Sequence, residues 1–381
     1  MKIFSKMPME RVLKIFSILL TILLATIITM VSCSRNESPV VIGALLVLEG
    51  PAAFVGEEIR DGLTLAISEI NSRGGINGHP LELVVEDAAD SSLGQEADPA
   101  AMAFDRLQKR NPLLTVTCLS YLSMKIAPVA EDARRLMVAL VATAPELTRG
   151  RQWVYRYWPT AEHEAPPMVD LFRDIAKSGA SLGVIYLDDA YGASVYENLE
   201  KRCRMFGIKV VPAPFPISAK DFTKEARDVE DTAGTVLIGF DGHIIGALKA
   251  LRSINYGGEI ISTTTATLPS VTAVPQAQGV HVTAPAIYNK NFHFTNEIKS
   301  RYEKRFGKPF TQYSANGYDF IYVVAGLLED RPLDRDSLKA LLEKGFVYSG
   351  VFGNIELEMG KKDIIFPLFP ARIHNGEIIY R

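Results

Sequence analysis

Residues 40–87 read VVIGALLVLEGPAAFVGEEIRDGLTLAISEINSRGGINGHPLELVVED, a strand–helix–strand unit in a single line. Val40 to Leu48 is a nearly continuous apolar run of strand length. It does not alternate, so it predicts a strand buried on both faces, as in a parallel sheet. From Glu57 to Arg73, residues Ile59, Leu63, Ala66, Ile67 and Ile70 recur at helical spacing. Gly74-Gly75 ends that helix with cap and turn chemistry. Leu81 to Val85 is the next strand, ending in Glu86-Asp87.

The alternation continues outward. A helix is predicted from about Gln95 to Arg110, a strand from Leu113 to Cys118, a helix from Met124 to Arg134 and a strand from Met137 to Val141. Strands with helices between them are the pattern of a doubly wound sheet. The pattern then restarts. Helices are expected at about Met168–Lys177, Ala193–Phe206, Phe222–Val229 and Ile244–Ile254. Strands are expected at Leu182–Leu187, Val210-Val211, Val236–Phe240 and Ile260-Ile261. No close sequence repeat accompanies the two halves, so their similarity is architectural. Beyond them, Phe294–Phe306, Tyr318–Leu328 and Leu338–Lys344 read as helices. Asn354 to Tyr380 reads as strands, with Asn375-Gly376 as a hairpin turn. This last block completes the two halves rather than forming a third domain, so the chain crosses between lobes more than once.

With 381 residues, 48% of them hydrophobic, the chain can bury a core in each of two domains. A charged fraction of 22% and a net charge of -3 exclude a basic nucleic-acid footprint and a disordered acidic chain. The N-terminus carries Lys2, Lys6, Arg11 and Lys14, then an apolar run from Ile15 to Val31, then Ser32-Cys33. Residues 1–32 therefore read as a signal peptide. Met30-Val31-Ser32-Cys33 resembles a bacterial lipobox, with Met30 where leucine is usual, and marks Cys33 as the lipidation site. An uncleaved membrane anchor is the other reading. Both place the rest of the chain outside the cytoplasm, tethered to a membrane. Cys118 and Cys203 read either as small buried hydrophobes or as one disulfide.

Reaction motifs are absent. There is no P-loop, no Gly-x-Ser-x-Gly elbow and no Cys-x-x-Cys, and none of the six histidines pairs with another at helical spacing. Gly239 to Gly246 follows a strand and opens a helix. It is either a tight turn or a set of helix N-terminal amides at a ligand site. No catalytic residue, metal site or cofactor is expected.

Four motifs in register carry a resemblance. They are Glu49-Gly50-Pro51 with Gly56, Ala66-Ile67-Ser68-Glu69-Ile70-Asn71-Ser72-Arg73-Gly74-Gly75-Ile76-Asn77-Gly78, Ala142-Thr143-Ala144-Pro145-Glu146-Leu147-Thr148, and Asp188 followed by Tyr191-Gly192. Over Val40 to Arg381 the chain resembles the type I periplasmic binding proteins, in the branch of the leucine/isoleucine/valine-binding proteins. The resemblance implies an α/β fold of two Rossmann-like lobes joined by a hinge of crossover strands. Lobe 1 would be 39–159 plus 285–348, and lobe 2 would be 160–284 plus 349–381.

The resemblance also implies a site. Ser120 and Thr143, just past predicted strand ends, would hold a ligand carboxylate with backbone amides, a cradle that needs no counter-ion. Tyr191 would approach from the other lobe, and Tyr121 and Val141 would line the pocket. The family's acid for an amino acid's ammonium would fall near Thr263 to Thr265, where this chain has none. Either Asp241 supplies it from a neighbouring loop, or the ligand is not an α-amino acid. The implied function is a non-enzymatic, lipid-anchored substrate-binding protein of an ABC importer. It would capture an amino acid or related small carboxylate by hinge closure and dock on permease and ATPase subunits. A ligand-sensing receptor subunit signalling to a membrane partner is the alternative.

Overall fold

The computed structural model describes residues 14, 17, 38–88, 98–176 and 179–381. Cys33 and the tether after it lie outside the described residues, as does the signal segment apart from residues 14 and 17. The first lobe is built from β1 (Val40–Leu46), α1 (Ala53–Ser72), β2 (Leu81–Asp87), α2 (Pro99–Lys109), β3 (Leu114–Cys118), α3 (Ser120–Asp132), β4 (Met137–Leu140) and β5 (Val154–Tyr157). Its sheet is parallel throughout, in the order β2-β1-β3-β4-β5. All residues of β3 and β4 are buried, as expected of strands covered by helices on both faces.

The second lobe follows with α4 (Ala161–Ile175), β6 (Ser181–Leu187), α5 (Ala190–Met205), β7 (Lys209–Phe215), α6 (Thr223–Asp228), β8 (Gly234–Ile238), α7 (Asp241–Ser253), β9 (Glu259–Ser262) and β10 (His281–Ala284). The chain then returns through α8 (His293–Phe306), α9 (Gln312–Leu328), α10 (Arg335–Lys344), β11 (Phe346–Gly350) and β12 (Gly353–Leu357). It ends in β13 (Phe369–His374) and β14 (Glu377–Tyr380). The second sheet runs β14-β13-β10-β9-β8-β6-β7, antiparallel only at β13 and β14. Its parallel part, β7-β6-β8-β9-β10, repeats the first lobe's order. Each lobe therefore has its switch point beside its first strand, and ligands bind outside the carboxyl ends of such strands.

The lobes share a packing device. A Cβ on Gly56, in α1, would lie 2.0 Å from the Val47 carbonyl oxygen. A Cβ on Gly192, in α5, would lie 1.9 Å from that of Leu187. In each lobe only glycine lets the helix after the first strand sit this close to that strand's end.

The lobe boundary differs from the sequence expectation near the C-terminus. Residues 349–366, expected in lobe 2, pack on lobe 1. The Asp319 carboxylate on α9 accepts from the Val351 amide at 2.9 Å. Residues 362–364 run beside β5, where Arg156 N donates to the Lys362 carbonyl at 2.8 Å and the Arg156 guanidinium pairs with Asp363 at 3.0 Å. The turn of the β11–β12 hairpin is Val351-Phe352, two apolar residues with no turn signature of their own. The chain reaches the second sheet only at β13, whose turn to β14 is Asn375-Gly376, both at positive φ, as read from sequence. Cys118 and Cys203 are free and buried in separate lobes.

Candidate functional site

A cavity lies between the lobes, at the carboxyl ends of both parallel sheets, with about 440 Å³ of empty space counting its opening to solvent. Lobe 1 contributes Leu119, Ser120 and Tyr121 after β3, Val141 and Thr143 after β4, Trp158 after β5, and Tyr313 from α9. Lobe 2 contributes Glu164 from the first turn of α4, Asp189 and Tyr191 at the start of α5, Phe240 before α7, and Thr264 and Thr265 after β9.

The lobe 1 wall is made of donors. Ser120 opens α3 and is 2% exposed. Its Oγ accepts from the amides of Thr143 at 3.0 Å and Ala144 at 3.3 Å, which ties the ends of β3 and β4 together. Those two bonds use the hydroxyl's acceptor capacity, and its proton is left to donate, with the Thr143 hydroxyl 3.5 Å away. The start of α3 faces the same space with the positive end of its helix dipole. Two strained residues set this geometry. Leu119 has φ 61 and ψ 150, a region otherwise held by glycine, and the β-branched Val141 has φ 55. Each such residue costs on the order of 1–3 kcal/mol, and strain of this kind gathers at ligand sites.

The lobe 2 wall is made of acids. Asp189 caps α5, its Oδ1 accepting from the amides of Tyr191 and Gly192 at 2.9 Å each. Burial outweighs those bonds and pushes its carboxyl up to about 6. Glu164 is 2% exposed. Its Oε1 accepts a long bond, 3.4 Å from the Thr264 amide, the Thr264 hydroxyl also favours its ionised form, and its Oε2 has no hydrogen-bond partner. Burial raises this carboxyl to about 7. Tyr191 donates to Thr263 Oγ1 at 3.0 Å, and burial holds its hydroxyl far above its ordinary range. Between the walls the rings of Trp158 and Tyr313 lie 6.2 Å apart. Phe54 on lobe 1 meets Phe240 on lobe 2 edge-on at 6.4 Å.

Of the residues expected from sequence, Ser120, Tyr121, Val141, Thr143 and Tyr191 come together around this cavity. Asp241 does not. As the first residue of α7 it turns away, its Oδ2 accepting from Ser270 Oγ at 2.9 Å and its Oδ1 from the Gly242 amide at 2.8 Å. Its neighbour Phe240 lines the cavity instead. The Asp241 carboxylate also occupies the Gly242 amide of the Gly239–Gly246 turn. The sequence reading missed Glu164 because it began the helix after Pro166-Pro167. The helix in fact starts at Ala161 and runs through both prolines. The carbonyls this deprives of helical donors belong to Glu162 and His163, both exposed to water, so the usual penalty is relieved. Trp158 and Tyr313 had no local signal. Among the described residues no cluster of His, Cys, Asp and Glu could hold a metal ion.

Two doubly wound lobes, crossed three times by the chain and closed over one cavity, define the class of two-lobed periplasmic binding proteins. The chain belongs to the periplasmic binding protein family, which it matches over residues 39–377. It is similar to Leu/Ile/Val-binding protein homolog 8 of Brucella abortus (strain 2308), 30% identical over 210 residues. That match covers 51% of this chain and 50% of the relative, so the chain spans half the length of the relative it matches. Among solved structures it is similar to a solute binding protein of an ABC transporter from Rhodopseudomonas palustris BisB5 in complex with 3,4-dihydroxybenzoic acid. The TM-score is 0.79 at 18% identity, covering 90% of this chain and 96% of that one. It is also similar to the leucine binding protein LivK of Thermotoga maritima MSB8, with TM-score 0.77, 20% identity, and coverage of 90% and 97%. At these identities the structural likeness shows the fold.

Proposed function

We propose that this chain is the extracytoplasmic substrate-binding lipoprotein of an ABC importer, capturing a small carboxylate-bearing solute by closure of its two lobes. The donor wall carries this reading. The Ser120 hydroxyl, Thr143 and the N-terminus of α3 converge on one side of the interlobe cavity, a neutral cradle for a carboxylate. Relatives named as Leu/Ile/Val-binding and ABC-transporter solute-binding proteins support it. Ligand bridging both walls would shift the open–closed equilibrium by its differential affinity for the closed form. The closed form would then dock on permease subunits, with lipid at Cys33 holding the protein at the membrane.

A thermal-shift screen against amino acids, their amides, short carboxylates and aromatic acids tests the capture. A ligand at 100 times its Kd stabilises the fold by about 2.7 kcal/mol. A screen in which no carboxylate raises the unfolding midpoint overturns the reading. Mass spectrometry of the mature N-terminus tests the anchor. A lipid-modified Cys33 is expected, and an unmodified, membrane-free protein refutes it.

A further inference from the structure

We infer that a groove at the base of lobe 1, where Arg135 and Arg335 converge, seats on anionic phospholipid headgroups and holds the anchored protein with that lobe towards the membrane. The inference rests on the lipid anchor at Cys33 proposed above and adds a second, electrostatic contact to it.

Two cations share one neutral acceptor at this place. Asn111 Oδ1 accepts from Arg335 Nη2 at 3.2 Å and from Arg135 Nη1 at 3.5 Å. Neither guanidinium forms an ion pair with a carboxylate among the described residues. Arg335 Nη2 also bonds the Pro112 carbonyl at 3.0 Å, and its Nε is buried with no hydrogen-bond partner. Burial, and after it the facing Arg135, hold the Arg335 guanidinium below its ordinary range. Two arginines brought together without a counter-charge leave a place for an anion, and phosphate oxygens match the guanidinium fork.

Arg335 lines a groove with about 1050 Å³ of empty space counting its opening to solvent. The other charged groups around it are accounted for. Arg110 pairs with Glu82 at 2.7 Å. Asp334 caps α10, accepting from the Ser337 amide and hydroxyl at 2.8 Å each. Asp336 is exposed on the rim. Lys109 and Arg134, which adjoin Arg110 and Arg135 in the chain, are exposed and leave basic side chains in the majority.

The path of the chain names the occupant. Ser38 and Pro39 line the groove, and the Ser38 carbonyl bonds the His79 ring at 3.0 Å. Five peptide steps link Cys33 to Ser38, a reach of at most about 18 Å. A lipid at Cys33 therefore keeps the groove beside the headgroups, where the tether makes its encounter with phosphates effectively intramolecular. Stable membrane attachment draws on a second signal of this basic kind. The groove lies at the amino ends of β1 and β3 and the cavity at the carboxyl ends, so a seated protein keeps its cavity clear of the headgroups.

The test is co-sedimentation of the mature chain, Cys33 to Arg381, with Cys33→Ser removing the lipid. The probes are vesicles of phosphatidylcholine alone and of phosphatidylcholine mixed with phosphatidylglycerol. The expected result is at least tenfold stronger binding to the anionic vesicles at low salt. That binding should be lost in molar sodium chloride, where charges are screened beyond about 3 Å. Arg135→Gln and Arg335→Gln together should weaken it at least tenfold, and Arg204→Gln, exposed on lobe 2, should leave it unchanged. Arg335 also braces Pro112, so Arg135→Gln alone, with an unchanged unfolding midpoint, should still weaken binding at least threefold. Calorimetry with inorganic phosphate separates the sources of anion. Tight phosphate binding without preference for anionic vesicles makes the groove a solute site and overturns the inference. Equal binding to both vesicles, or binding that survives loss of both arginines, overturns it too and leaves the lipid anchor standing. Mass spectrometry of the mature N-terminus reads the anchor separately, and an unmodified Cys33 removes that reading and this inference with it.

Discussion

The two lobes are built on one plan and present opposite chemistry to the space between them. Both are doubly wound, with matching strand order and a glycine at the same place in the first helix. Lobe 1 faces the cavity with Ser120, Thr143 and the start of α3, a wall of hydrogen-bond donors. Lobe 2 faces it with Glu164 and Asp189, both acids that burial holds partly protonated. The scaffold repeats because packing demands it. The walls differ because each follows from two or three side chains at strand ends, where the scaffold leaves the choice open. A solute with unlike ends would be oriented by this difference before any shape selection acts.

The comparison breaks first at the scaffold. Gly56→Ala and Gly192→Ala should each destabilise the protein by about 3 kcal/mol, measured by urea unfolding, because each forces a Cβ into a strand carbonyl. If one variant is silent, the lobes do not share the device. The acid wall predicts a pH effect on stability without ligand. A carboxyl raised above its unfolded value favours the folded state while protonated. That contribution is present below about 4.5 and is lost as pH rises towards 7. Glu58 and Asp319, also raised to about 7 by burial, add to the same slope. Glu164→Gln should flatten it and gain on the order of 2 kcal/mol relative to wild type at pH 8. An unaltered slope would show that Glu164 is not held protonated.

The donor wall gives a smaller effect. Ser120→Ala orphans the Thr143 and Ala144 amides and should cost about 1–3 kcal/mol in stability, with carboxylate affinity falling about tenfold. Calorimetry that finds intact affinity would remove Ser120 from the cradle. The smallest effect is expected at Asp241→Ala. Its carboxylate is engaged by Ser270 and Gly242 outside the cavity, so affinity should stay within twofold. A tenfold loss would mean that Asp241 turns inward when ligand binds.

Much of this was legible in the chain itself. The apolar run at Val40–Leu48 and the helical spacing after it correspond to β1 and α1. The helix begins four residues earlier than read, at Ala53, because the Gly50-Pro51 turn lies directly before it. The terminal hairpin followed from Asn375-Gly376. Ser120 and Thr143 were singled out by the family resemblance, which sets them at strand ends where a doubly wound sheet opens its crevice, and both line the cavity. Leu119 was not: a leucine at positive φ has no sequence signal and is held there by its surroundings. The hairpin at 346–357 was missed for a related reason, its turn residues being apolar.

Sequence alone determined the repeat of two parallel units, their order and the position of the crevice, because burial on both strand faces and helical periodicity are local properties of the chain. Which acid faces the ligand space was decided only in three dimensions. Asp241 and Glu164 were equally visible as residues. One sits a single position past the residue that points inward. The other is carried inward by a helix that runs through two prolines, the residues they leave without helical donors being exposed, and it meets Thr264 across 100 residues of chain.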